Sequence, residues 1–196
     1  MTRLAGALRT LGLPSALDES LRHFSDLFQK WNRSINLSAA RSEGDLLEHI
    51  VDSLHVVPHL RELPTAAPRI LDVGAGGGLP AVVVAICLPD AQITALEPVH
   101  KKHAFLRTAA RELALPNLEP LAQRLDDHPL RDYDAAMSRA TFDLREWLLL
   151  GLSAVHVGGT ALGFEAVPRH DLPPGTQRRP YVLEDKTRAI VLVQRA

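Results

Sequence analysis

Residues 70–80 read ILDVGAGGGLP. A β-forming run ends at Asp72 and Val73 and gives way to five small residues, with Gly74, Gly76 and Gly78 at alternate positions. Backbone this bare, directly after a buried strand, lets another molecule approach closely. In an open α/β sheet ligands bind at the carboxyl ends of the strands, where the strand order reverses, and the first strand usually ends there.

Outward from this stretch the chain alternates. RILDV (69–73) reads as a strand, LPAVVVAICL (79–88) as a helix, QITALE (92–97) as a strand and HKKHAFLRTAARELAL (100–115) as a helix. LEPLAQRL (118–125) and YDAAMS (133–138) read as strands, FDLREWLLLGLSAV (142–155) as a helix and TALGFEA (160–166) as a strand. Such alternation implies parallel strands with helices on both faces, a Rossmann-like α/β core. The end departs from it: YVLEDKTRAIVLVQRA (181–196) holds two strand runs joined by a turn at 184–187, an antiparallel hairpin closing the sheet. The Pro- and Arg-rich VPRHDLPPGTQRRP (167–180) before it reads as an exposed loop.

Residues 1–62 have a different texture and read as a helical extension packed on a core of residues 63–196, one compact unit in all. Leu17, Leu21, Phe24, Leu27, Phe28 and Trp31 recur at helical spacing, with Ser15 as a possible cap and Asp18 and Glu19 in the first turn. A second helix runs from Glu43 to before Pro58, with Leu46, Leu47, Ile50, Val51 and Leu54 as its stripe. Trp31 reads as core before it reads as a stacking platform, and His55 and His59 as helix-surface residues.

Composition excludes several classes. With 196 residues and 46% hydrophobic content the chain can bury a real core and is not disordered. Its 22 basic and 23 acidic residues nearly cancel, so a nucleic-acid partner requires basic residues clustered on one face. Cys87 is the single cysteine, so no internal disulfide forms, and it reads as a packed thiol in a reducing compartment. The arginine-interrupted N-terminus does not read as a signal peptide, and no apolar run suffices for a membrane span. A cytoplasmic protein without membrane partners is expected.

The loop spacing discriminates between ligands. A dinucleotide loop, G-x-G-x-x-G, needs a third glycine at position 79, which is Leu79. The pattern present, D-x-G-x-G-x-G from Asp72 to Gly78, resembles motif I of class I S-adenosylmethionine-dependent methyltransferases. Glu97, 19 residues after Gly78, can accept both hydroxyls of a ribose, which NAD and S-adenosylmethionine share. In that methyltransferase class an acid after the third strand often reaches the adenine amino group. Asp126 or Asp127, in QRLDD (123–127), stands at that place here, with Leu125 and Asp126 as the expected contacts and a solvated loop acid as the plain alternative.

Further segments carry a more specific resemblance. KWNRSINLSAAR (30–41), EHIVDSL (48–54), VHKKHAFL (99–106) and SRA (138–140), with the glycine loop, make the chain resemble the GidB/RsmG family of bacterial 16S rRNA guanine-N7 methyltransferases. That resemblance implies transfer of a methyl group from S-adenosylmethionine to N7 of a guanine in the 530 loop of 16S ribosomal RNA, with naked RNA or the small ribosomal subunit as partner. It implies a cofactor site of Asp72, Gly74, Ala75, Gly76, Gly78, Leu79, Pro80, Glu97, Leu125, Asp126 and Arg139. Arg139 would take the cofactor carboxylate or an RNA phosphate, or else form a structural salt bridge. Asn36, His49, Asp52 and Ser53 would cover the cofactor. His49, Asp52 and Ser53 share a helix face by spacing, which a self-satisfied polar face would also explain; a metal there finds no further ligand cluster. No general base is implied, no metal is expected, and a monomer is.

RNA requires positive charge. Lys101, Lys102, Arg107 and Arg111, with His100 and His103, open one helix; Arg169, Arg178 and Arg179 lie in the late loop; Arg33 and Arg41 flank the polar connector. Three positions depart from the family: Ala81 replaces a glycine, Pro98 follows Glu97, and Glu165 with Ala166 replaces a lysine–glycine pair. Glu165 puts RNA contact in question and keeps open another methyl acceptor or a non-catalytic adenosyl-binding module. A NAD-dependent oxidoreductase is disfavoured by Leu79 and the terminal hairpin.

Overall fold

The computed structural model describes residues 3–38, 40, 42–129 and 132–196; Arg41 lies outside them. Four helices lead, α1 (Arg3–Thr10), α2 (Leu17–Ile35), α3 (Glu43–Leu54) and α4 (Val57–Arg61). The core continues with β1 (Arg69–Val73), α5 (Ala81–Cys87), β2 (Gln92–Leu96), α6 (His100–Glu112), β3 (Leu118–Leu121), β4 (Tyr133–Ser138), α7 (Leu144–Ala154), β5 (Val155–Glu165), β6 (Gln177–Leu183) and β7 (Lys186–Gln194). The sheet has seven strands in the order β3-β2-β1-β4-β5-β7-β6. β1 to β5 are parallel, and β7 inserts antiparallel between β5 and β6. The chain builds outward from β1 through β2 to β3 and then crosses to β4 on the other side. The switch point therefore falls between β1 and β4, at the ends of Val73 and Ser138.

Both sheet faces are covered, so β1 is apolar almost throughout. Ile70 packs toward the α5–α6 side, while Leu71 and Val73 join Trp147 and Leu148 of α7 on the other. The N-terminal helices form a further layer: α2 packs on α5 and α6, and α3 on α5. Phe24, Phe28 and Trp31 of α2 meet Phe105 of α6, with Phe28 and Trp31 edge-on at 5.6 and 5.7 Å between centroids. Trp31 is thus half-buried and packs against the core.

Three local expectations are corrected. Ser15 does not cap α2; the helix begins from Ala16 without a side-chain cap. The helix from Glu43 does end before Pro58, at Leu54, and Pro58 sits in the first turn of the next helix, α4, where its missing N–H costs nothing. Residues 177–180 belong to β6 rather than to a loop; Pro180 is accommodated because β6 is an edge strand. The hairpin turn is only Glu184–Asp185, with Glu184 at φ 54°, and Lys186 already pairs with Leu183. α3 does have a strong start: Ser42 and Asp45 form a reciprocal capping box.

Candidate cofactor and substrate cleft

The glycine loop is held from both sides. Gly74 and Ala75 donate their N–H groups to the Leu96 carbonyl at 2.9 and 3.0 Å. The Glu97 carboxylate, almost fully buried, accepts from Gly76 N at 2.8 Å on one oxygen and from Val99 N at 2.8 Å on the other. Each carboxylate oxygen has a second lone pair, so Glu97 can still receive two ribose hydroxyls.

The glycines do not share one role. Gly74, Gly76 and Gly78 have positive φ (72°, 56° and 81°). A Cβ on Gly76 would meet nothing nearer than 3.8 Å, so its bareness faces open space. A Cβ on Gly77 would strike the Phe28 ring at 2.4 Å, and one on Gly78 would strike Val82 at 2.3 Å. Gly77 lets α2 press on the loop and Gly78 lets α5 close on it. The missing Cβ of Gly78 therefore serves packing, and Gly78 itself is not among the residues lining the larger cavity.

Across the switch point, SRA has a structural logic. Ser138 Oγ donates to the Val73 carbonyl at 2.7 Å, fixing the end of β4 against β1. Ala140 adopts φ 56°, a left-handed conformation that costs a non-glycine residue on the order of 1 kcal/mol. The bend lets Thr141 Oγ1 reach the Gly74 carbonyl at 3.2 Å. Arg139 donates from Nε to the Leu79 carbonyl at 3.3 Å and from Nη1 to Asp52 at 3.3 Å, with His49 Nδ1 at 3.5 Å.

Two cavities adjoin here. One of about 560 Å³ is lined by Gly74, Gly76, Glu97, Lys102, Arg139 and His49, among others. The other, of about 300 Å³, is lined by Leu96, Gln123, Leu125, Asp126, Phe142 and Leu150. Gly74, Pro98 and Thr141 border both. Each volume lies near or within the range of small-molecule sites. A cleft divided this way, with the Glu97 carboxylate, Lys102, His49 and Arg139 in the larger part and mainly apolar side chains in the smaller, fits an adenosyl group carrying an amino-acid tail.

Asp72 lies behind the loop. Its Oδ2 accepts from Ala81 N at 3.0 Å, while its buried Oδ1 finds no hydrogen-bond partner among the described residues. Burial drives its carboxyl up to about 7, against the opposing pull of the Ala81 N–H and Arg139. His49 is held below the usual imidazole range, first by burial and then by the Arg139 charge.

Other expected residues are distributed unevenly. Ala75 and Leu79 line the larger cavity, while Pro80 is the N-cap of α5 outside that lining. Ser53 is fully buried and donates to the His49 carbonyl at 2.8 Å, so it braces α3 instead of covering a ligand. Asn36 ends α2 at φ 48°, and the lining comes from its neighbours Leu37 and Ser38. Their turn is built by Asn32, whose Oδ1 accepts from Leu37 N and Ser38 N at 2.7 and 3.2 Å. Of the cations, Lys102 lines the cleft, and Lys101 and Arg33 are exposed. Arg107 and Arg111 border a shallow depression beside β3. Arg179 bonds Gln177 at 2.9 Å. Arg178 is turned inward to Glu165, which accepts at 2.9 and 3.1 Å and is itself 3% exposed. Glu165 therefore presents no charge to a substrate. Thr141, Phe142 and Gln123 are not singled out by sequence, and Pro98 stands out there only as a departure from the family; the first two directly follow SRA, the only signal that could have flagged them.

Among the described residues no helix is long and apolar enough to cross a membrane, and no group of three or more His, Cys, Asp or Glu side chains could hold a metal ion.

A family model described as rRNA small subunit methyltransferase G matches residues 17–172. Among curated proteins, Ribosomal RNA small subunit methyltransferase G of Bordetella avium is 39% identical over 87% of this chain and 79% of its own length. The protein of that name from Azoarcus sp. is 36% identical over 88% of this chain and 84% of its own. Among solved structures, cofactor-bound Rv0187 from MTB superposes with a TM-score of 0.63 over 90% of this chain and 89% of that one, at 12% identity. TrmN from Thermus thermophilus gives 0.59 over 75% and 49%, at 20% identity. These two show the shared class I methyltransferase fold.

Proposed function

Since the chain belongs to the GidB family of rRNA small subunit methyltransferases, we propose that it methylates N7 of a guanine in the 530 loop of 16S ribosomal RNA, using S-adenosylmethionine. The observation that carries the reading is the divided cleft at the switch point, with Glu97 and Arg139 both on the wall of its larger part. Bound there, S-adenosylmethionine supplies a methyl group already activated by a positively charged sulfur. Gly76 gives room for the methionine part beside Gly74, whose missing Cβ leaves space for Thr141, while Glu97 holds the ribose and Leu125 with Asp126 receives the adenine. Arg139 takes a carboxylate or phosphate, for which a guanidinium has the right geometry.

Guanine N7 presents a lone pair and no proton in the major groove. The protein needs no general base; its work is to orient the acceptor and exclude water. The absence of an acid–base pair from the proposed site residues agrees with this. Lys101, Lys102 and Arg33 are the proposed phosphate contacts, with Arg107 and Arg179 more peripheral. Glu165, the residue that most favoured a non-catalytic module, is satisfied internally and lends that alternative no support. The partner is 16S rRNA or the small ribosomal subunit, in the cytoplasm, met by a monomer. Residues 1–62 and 63–196 are proposed to fold as one unit, since α2 and the glycine loop interlock through Phe28 and Gly77.

The test is transfer from labelled S-adenosylmethionine to small subunits, and to their RNA, lacking the modification, with N7-methylguanine-specific cleavage to map the product. Label at one guanine of the 530 loop is expected. Tight cofactor binding without transfer to either substrate would overturn the acceptor assignment.

A further inference from the structure

Asp52 is the point where four elements meet. Its Oδ2 accepts from Arg139 Nη1 at 3.3 Å. Its Oδ1 accepts from the Tyr181 hydroxyl of β6 at 2.7 Å and from Arg188 Nη1 of β7 at 3.2 Å. Arg188 Nη2 goes on to Glu48 at 3.1 Å, and the Tyr181 ring stacks on His55 at 3.9 Å. The Asp52 side chain is 4% exposed and that of Arg139 14%.

An arginine and a carboxylate prefer a fork of two parallel hydrogen bonds. Here the bond is single, because the second carboxylate oxygen is already taken from the hairpin side. Arg139 Nε and Nη1 are engaged by Leu79, Asp52 and His49. Among the described residues no protein acceptor bonds Nη2. Two N–H groups thus remain for an anion in the cavity.

We propose that Tyr181 and Arg188, on the C-terminal hairpin, are positioning residues for methyl transfer: by occupying one oxygen of Asp52 they prevent that acid from capturing Arg139 completely. The proposal rests on Arg139 as the anion-binding group of the cleft. The carboxylate torsion of an aspartate is soft. Released from the hairpin, Asp52 turns, takes Arg139 as a fork and withdraws Nη2 from the ligand.

Tyr181→Phe tests this, since it keeps the ring stacked on His55 and removes only the hydroxyl. Binding of S-adenosylmethionine and of a 530-loop hairpin RNA is measured in a cycle with Arg139→Ala. Whichever ligand Arg139→Ala weakens, Tyr181→Phe is expected to weaken about 5- to 20-fold, with no further loss in the Arg139→Ala background. Arg188→Met is expected to act in the same direction. Arg3→Ala, which releases the same hairpin at Glu184 from a 2.7 Å ion pair, leaves both affinities unchanged. A Tyr181→Phe loss that persists in full without Arg139, or no loss at all, overturns the proposal. A structure of the Tyr181→Phe/Arg188→Met double variant, which clears both hairpin donors from that oxygen, decides without any substrate: a fork closed on Asp52 supports the proposal, and an unmoved Arg139 refutes it. If wild-type protein binds cofactor but methylates nothing, the functional reading fails while these readouts still stand.

Discussion

Two buried acids gather arginines near the carboxyl edge of the sheet, and they do so in opposite ways. Around Asp52, three donors from three elements share one carboxylate, and Arg139 is held at a single point facing a cavity. Around Glu165, Arg178 occupies both oxygens, the Arg169 N–H adds a bond at 2.9 Å, and Arg178 also donates to the Arg169 carbonyl. Arg169 in turn is consumed by Asp143 and Asp171. The second cluster is a strap that pins residues 166–176 to the start of α7. An arginine becomes available to a ligand only when its acid partner is too occupied to close the fork.

The largest effect should separate the two arginines. Arg139→Ala is expected to lower kcat/KM for methyl transfer by about 100-fold or more, the scale of losing a charged contact in a water-excluded site. The fold should survive, since Arg188 and Tyr181 still satisfy Asp52. Arg178→Ala is expected to leave kcat/KM per folded molecule near wild type and to lower the melting temperature instead. Equal losses of activity in the two variants would erase the distinction.

Next comes Glu165 itself. Glu165→Ala removes a buried carboxylate with three hydrogen bonds and frees the strap, at a cost of about 1–3 kcal/mol in denaturant unfolding. Glu165→Lys, which restores the family residue, should be worse, because it sets a cation against Arg178. Improved RNA methylation by Glu165→Lys would show that the position faces substrate after all.

Much of this was legible in the sequence because it depends on local pattern. Alternating apolar runs gave the strand and helix order, and the spacing from Asp72 to Gly78 with Glu97 located the cleft. What the pattern could not separate was the purpose of neighbouring small residues. Gly76 opens on the cavity while Gly77 accommodates Phe28, 49 positions earlier in the chain. Nor could it tell Ser53 from Asp52: both lie on the same part of α3, but an inward hydroxyl finds its partner within its own helix. The links from Asp52 to Arg139, Tyr181 and Arg188 span 87, 129 and 136 residues, and no local signal announces them. Nor does the sequence show that the exposed 166–176 segment is pinned, because arginine and proline look alike whether a loop is free or strapped down.

Asp72 extends the comparison to an acid without a fork. Its folded carboxyl titrates near 7 against an ordinary 3.8, so the folded state holds the proton more tightly than the unfolded one. The associated stability is complete below 3.8 and is lost as pH rises through about 7. Asp72→Asn keeps an acceptor for Ala81 N and should stabilise the protein at pH 8 on the order of 1–2 kcal/mol, less than the whole shift because the amide N–H₂ also needs partners. The gain should vanish by pH 4. Unfolding curves at the two pH values check it, and a destabilised variant at pH 8 would mean that the charge is needed beside Arg139.

The smallest expected effect is at His49, where the Asp52 cluster meets titration. Burial and the neighbouring Arg139 hold this imidazole below 6.5, so at neutral pH it is uncharged and its Nδ1 can accept from Arg139 at 3.5 Å. A depressed histidine contributes stability above its ordinary value, and that contribution is lost as pH falls through the folded value. The same proton places a second cation beside Arg139 and competes for Asp52. The acid limb of kcat/KM should therefore begin below 6.5 and fall a few-fold more steeply in wild type than in His49→Gln, whose amide cannot gain charge. Parallel acid limbs would show that Asp52 holds Arg139 in place whatever the charge on His49, and that the hairpin side of the carboxylate alone sets the guanidinium.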